Sequence, residues 1–165
     1  VKRKTPLVLA AAEPALSMFR QQCGYPHVTD REIHGCPDRV SDDDLRARAA
    51  ELLEPVFHQR YRADAQRFAE AMGHDMGSTD LAEALRAAHV RRVDTLFVPR
   101  WEHRWGRFEP DGGTVELHET QQPGDDDLLD LAAVRTRQGG GTVHVVERDE
   151  MPGEDVVATV FRFAL

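Results

Sequence analysis

One stretch constrains this chain more than any other. Leu45, Ala49, Leu52, Leu53, Val56, Phe57, Tyr61, Ala65, Phe68, Ala69 and Met72 recur three and four apart, opposite Arg46, Glu51, His58, Arg62 and Glu70. That period belongs to a helix with one apolar face. Ser41-Asp42-Asp43-Asp44 precedes it in the S-x-x-D form of a capping box, and its acids complement the helix dipole. Gly73 ends it. Pro55 falls inside and predicts a kink or two abutting helices. A helix of this length often joins two domains.

Shorter elements flank it. Leu7 to Ala12 is apolar without alternation and predicts a buried strand. Glu13-Pro14 opens a helix carrying Leu16, Phe19 and Arg20, which Gly24 closes. Val28 to His34 predicts a second strand, and Gly35-Cys36-Pro37-Asp38 a turn. Beyond the linker Gly73–Gly77, Ser78, Thr79 or Asp80 caps a helix that turns Leu81, Leu85 and Ala88 inward. Val93 to Val98 is the clearest strand. Trp105–Phe108 and Thr114–His118 flank Asp111-Gly112-Gly113, a hairpin signal, with Val115 and Leu117 on one side and Glu116 and His118 on the other. Pro123 to Asp127 starts another helix, with Leu128, Leu129, Ala132 and Ala133 toward the core and Gly139 at its end. Thr142–Val146 and Val156–Phe163 are the last strands. Helix and strand alternating from Asp80 onward predict a three-layer α/β/α domain.

Composition narrows the function classes. Hydrophobic residues make up 41% and charged residues 30%, a globular balance. No stretch has the roughly 18 apolar residues of a membrane span. Cys23 and Cys36 are too few for a secreted disulfide framework, so the expected compartment is the cytoplasm. The chain begins at Val1 on Val1-Lys2-Arg3-Lys4, which we read as a piece of a longer protein. Net charge is −8, and a binder of duplex nucleic acid usually carries a basic footprint, so any RNA contact must be local.

The best local candidate is Arg100-Trp101-Glu102-His103-Arg104-Trp105-Gly106-Arg107-Phe108, with three arginines and three aromatics. Guanidinium forks suit phosphate and indole faces suit unpaired bases. The competing reading makes Trp105 and Phe108 core and the arginines solvated. We take Arg100, Trp101, Arg104 and Arg107, with Arg91 and Arg92 nearby in sequence, as RNA- or partner-binding candidates. Cys23, His27, His34 and Cys36 supply zinc-type donors, but C-x3-H-x6-H-x-C is not the spacing of a compact knuckle, and we expect no metal there. His89, Arg91, Arg92 and Asp94 bracket the start of a strand. They could serve as general acid or base, but a helix C-terminus attracts such cations by its dipole, and we favour that reading. The acids Asp125 to Asp130 suit a helix start better than a cation site. P-loop, nucleophile-elbow and zincin motifs are absent from the sequence, and we expect no catalytic residue and no cofactor.

Three stretches carry a family resemblance. Pro6-Leu7-Val8-Leu9-Ala10-Ala11 with its following helix is one. Thr79-Asp80-Leu81-Ala82-Glu83-Ala84-Leu85 through Arg92-Val93-Asp94-Thr95-Leu96-Phe97-Val98 is the second. Trp105-Gly106-Arg107-Phe108 with Gly124-Asp125-Asp126-Asp127-Leu128-Leu129-Asp130 is the third. In this order they resemble the last part of archaeo-eukaryotic peptide chain release factors and Pelota, and most closely the bacterial family built on that plan. The resemblance implies an incomplete α/β middle domain at 1–40, a long connecting helix at 41–73 kinked near Pro55, and a third domain at 74–165. That third domain would have a mixed central sheet like kink-turn-binding ribosomal proteins. It implies the ribosome (rRNA and the tRNA site) and a translational GTPase as partners, in termination, rescue or hibernation. Peptide-releasing members carry a Gly-Gly-Gln loop. This chain has none, and Gln138-Gly139-Gly140-Gly141, its reverse, reads as a helix-terminal turn.

The expected function is therefore a non-enzymatic, ribosome-associated factor, this chain being its GTPase- and ribosome-docking portion, without membrane contact. Open strand edges at 1–40 predict self-association. The rivals are a small metal-dependent hydrolase using the Cys/His cluster or the histidines near Trp101, and an orphan protein-interaction module.

Overall fold

The structure is a computed structural model that describes residues 5–164, so the basic stretch Val1–Lys4 lies outside the described residues. Strand β1 (Leu7–Ala11), helix α1 (Ala15–Gln22) and strand β2 (Val28–His34) come first. Helix α2 then runs Asp42–Met72 as one element with Pro55 inside it, rather than as two abutting helices. Its start shows half of the capping box read from the sequence: the Ser41 hydroxyl accepts the Asp44 N–H at 3.1 Å, but the Asp44 carboxylate accepts from that hydroxyl at 2.8 Å. The chain divides into two compact units, Val1–Arg60 and Tyr61–Leu165, within that helix.

In the first unit β1 and β2 pair in parallel, Leu9 opposite Glu32 and Ala11 opposite His34. Parallel neighbours need a crossover, and α1 supplies it. Leu16 of α1 is buried and Leu9 nearly so, whereas Met18, Phe19, Val56 and Phe57 are exposed. Apolar spacing located these elements; on the face it marks on the first half of α2, Leu45, Ala49, Leu52 and Leu53 are half-buried while Val56 and Phe57 are exposed.

The second unit is built on a four-stranded mixed sheet. Strands β3 (Gly77–Ser78), β4 (Val93–Pro99), β8 (Thr142–Val146) and β9 (Ala158–Phe161) lie in the order β3-β9-β4-β8, with β4 and β8 parallel and the other pairs antiparallel. Successive residues of β4 serve opposite faces, as strand geometry requires. Leu96 and Val98 pack with helix α3 (Leu81–His89) and helix α4 (Leu128–Gln138) through Leu85, Ala88, Leu128, Leu129 and Ala132. Phe97 packs on the other face with Phe68 and Ala71 of α2, Ala158 and Val160. The unit is thus helix, mixed sheet, helix. Asp80 caps α3, accepting the Glu83 N–H at 2.8 Å.

A smaller antiparallel sheet, order β6-β5-β7, joins β5 (Trp105–Glu109), β6 (Thr114–His118) and β7 (Asp126–Asp127). The hairpin is where the sequence put it, although Leu117 is exposed and only Val115 reaches the core. Gly106 is required there, because a Cβ would lie 2.0 Å from the carbonyl oxygen of Glu116. Helix α4 starts later than the acids suggested. The backbones of Asp126 and Asp127 pair with β5, leaving Asp127 as the cap that accepts the Leu129 N–H at 3.1 Å. After α4, Gly140 takes the left-handed conformation (φ 82°) expected of a glycine closing a helix.

Candidate docking site

The Arg100–Phe108 segment leaves the carboxyl end of β4 and enters β5. The Arg100 N–H donates to the Val146 carbonyl at 2.7 Å, extending the β4–β8 pairing by one bond. Trp101 follows with φ 66° and is 82% exposed. A bulky residue at positive φ costs about 1 kcal/mol or more, so the indole is held outward against its backbone preference.

Behind Trp101 every arginine of the segment has an acidic partner. Arg100 lies 3.4 Å from Glu147, Arg104 3.4 Å from Glu102, and Arg107 3.3 Å from Asp125. Arg107 also donates to the Pro123 carbonyl at 2.8 Å, and Arg148 approaches Glu102 at 3.5 Å. The histidines are placed alike. His103 stacks on Trp105, its Nδ1 2.6 Å from Asp127, which also accepts the Arg104 N–H. The His118 Nδ1 sits 2.8 Å from Asp125, whose side chain is fully buried. That hydrogen bond raises the His118 pKa, against the opposing effect of burial. For Asp125 burial pushes the pKa up, but the His118 bond, the Gln122 N–H and the charges of His118 and Arg107 outweigh it and hold it low.

The segment is therefore charge-balanced around one projecting indole, and charge contrast along the sequence did not reveal the pairing partners. Glu147 and Asp125 are distant in sequence, so only the fold brings them in. Arg92 is not beside this segment at the surface. It is 3% exposed, with its guanidinium 4.0 Å from the Phe161 ring centroid and its Nε donating to the Phe163 carbonyl at 2.9 Å. Arg91, its neighbour, is exposed and lines a different groove with His89 and Arg135.

The Cys/His donors do not assemble. Cys23 and Cys36 are free thiols, and the metal-type grouping among the described residues is Glu13, Glu32 and His34. Arg20 already engages Glu32 at 2.5 Å, which leaves that grouping weakly anionic. No helix among the described residues is long and apolar enough to cross a membrane.

Residues 2–92, more than half of the chain, match the model of bacterial archaeo-eukaryotic release factor family 3. The chain belongs to that family. The match spans β1 through α3 and ends at Arg92, so the Arg100–Phe108 segment lies beyond it. Among solved structures, Pelota of Archaeoglobus fulgidus is similar, with 16% identity and a TM-score of 0.42 over 96% of this chain and 49% of that one. The release factor family 3 chain thus spans about half the length of that relative. No curated protein matches it.

Proposed function

We propose that this family 3 chain is a non-enzymatic, ribosome-directed docking portion of a cytoplasmic release-factor-like protein. Membership of the release factor family over residues 2–92 is the observation that carries the reading. His103, close to Trp101 in sequence, is held by Asp127 and stacked on Trp105, which suits a structural role. In this reading Trp101 is the contact residue of its segment, with Arg100, Arg104 and Arg107 as the rim. Aromatic anchors with arginine at the edge are the usual composition of such contacts. A translational GTPase or ribosomal RNA is the partner the family resemblance favours.

The test is sedimentation of the full-length gene product with ribosomes through a sucrose cushion. Co-sedimentation that weakens on Trp101→Ala, with unchanged melting temperature, is the expected result. Full-length protein that stays in the supernatant at low salt would overturn the reading.

A further inference from the structure

The salt-bridge pattern moves the electropositive surface away from the Arg100–Phe108 segment. A groove of about 390 Å³ lies between the C-terminal ends of α3 and α4, lined by His89, Arg91, Val134, Arg135, Gln138 and Gly139, among others. No acid lines it. Among the described residues Arg86, Arg91, Arg135 and Arg137 have no carboxylate within 4.0 Å, whereas Arg100, Arg104 and Arg107 each have one. Of these, Arg91 and Arg135 line the groove, while the Arg86 Nε donates to the Gly113 carbonyl at 2.9 Å.

Two helix C-termini meet at this groove, and their dipoles attract cations without any ligand. The magnitude decides between the readings. Each terminus carries roughly half a negative charge, so two offset about one of the two arginines that line the groove. Part of that offset is already met by Arg162, whose Nη1 donates to the carbonyls of Arg91 (3.0 Å) and Gly139 (3.1 Å). A net positive surface remains on a chain of net charge −8.

Arg91 adds an independent observation. It follows the end of α3 with φ 58°, its N–H bonded to Ala88 at 3.1 Å, while the Arg92 N–H reaches Ala87 at 2.8 Å. That is the left-handed helix-closing position where glycine is favoured and a side chain is strained. An arginine here works against local stability, so its side chain stands at the groove at a cost to the backbone.

We propose that this groove binds the phosphate backbone of RNA, with the guanidinium groups of Arg91 and Arg135 as its forks. Arg135 is pre-oriented, stacked over Phe108 at 5.0 Å and in contact with the His89 ring. Planar forks held in this way match phosphate oxygens at low entropic cost. The inference deepens the ribosome-directed reading and rests on it for its physiological RNA.

The experiment measures anisotropy of a fluorescein-labelled RNA hairpin with single-stranded flanks, titrated with the whole chain from 50 to 200 mM KCl. Arg91→Glu/Arg135→Glu should weaken binding about tenfold and reduce the salt slope by about one per arginine. Arg46→Ala, at an exposed arginine paired with Asp43 in the first turns of α2, should leave both unchanged. Arg91→Gly guards against misfolding as an explanation, since it should raise the melting temperature while weakening the RNA. Retained affinity in Arg91→Gly and in the double variant would overturn the proposal, as would preferential binding of a polyglutamate peptide in place of RNA. Absence of hairpin binding by the unsubstituted chain, alongside ribosome sedimentation of the full-length product, would refute this groove and leave the ribosome-directed reading standing. Hairpin binding without sedimentation would do the reverse.

Discussion

Nε2 of His144 lies 2.8 Å from Oδ2 of Asp64, joining the outer sheet strand β8 to the second half of α2. The imidazole stacks on Phe97 with centroids 4.9 Å apart, and Tyr61 meets both rings edge-on. Asp64 also accepts from Arg67, which reaches on to Asp94 at 2.7 Å. A polar strap thus lies over an aromatic cluster, and each part fixes the other.

Removing one end of the strap should be costly, because the remaining partner stays largely buried. Asp64→Ala is expected to destabilise the protein by about 3 kcal/mol, measured by urea unfolding. His144→Phe should cost much less, since it preserves the stack.

Phe97 is fully buried in the centre of β4. Phe97→Ala should lower stability by about 3–5 kcal/mol. Phe97→Leu should lower it by less than half as much, and denaturant midpoints at constant slope will check both.

Gly106→Ala should part β5 from β6, since its Cβ meets backbone rather than a movable side chain. Faster hydrogen exchange across residues 114–118, with β4 protection retained, is the expected signature. Unchanged exchange in the hairpin would count against the steric argument.

The His118–Asp125 pair gives a pH dependence of known sign. The His118 pKa is raised above 6.5, so its contribution is complete below pH 6.5 and is lost as pH rises through the folded value. The Asp125 pKa is lowered below 3.8, so its contribution is complete above pH 3.8 and is lost as pH falls through the folded value. The pair should support the fold most between these limits. His118→Gln should flatten the decline in melting temperature on the alkaline side, and an NMR titration of the His118 ring should report a midpoint above 6.5.

Trp101→Gly should stabilise the chain by about 0.5–1 kcal/mol, because φ 66° suits glycine and the exposed indole loses little packing. A fall in melting temperature would show that the indole packs the fold.

Helix and strand positions were legible wherever apolar spacing acted locally. The Ser41 cap of α2, the buried inward face of α3 and the β5–β6 hairpin all follow from residues within one or two turns of each other. Registration across distance was not legible. Asp126 and Asp127 read as a helix start because their partners, Gly106 and Trp105, are some twenty residues away. For the same reason Arg100 and Arg107 looked like free charge, their acids Glu147 and Asp125 arriving from just past β8 and from the β6–β7 loop. Arg92 and Arg91 are adjacent and alike in sequence. One backbone turn sends the first under Phe161 and leaves the second outside.

The order β3-β9-β4-β8 places the last strand of the chain inside the sheet, between β3 and β4. During synthesis β3, β4 and β8 leave the exit tunnel first, with a gap where Ala158–Phe161 belong. Both faces of the second unit draw on that late segment, through Val157 and Phe161 on one side and Ala158 and Val160 on the other. The sheet therefore closes only once the chain through Phe161 has emerged, and a chain cut short before residue 158 cannot close it in this way.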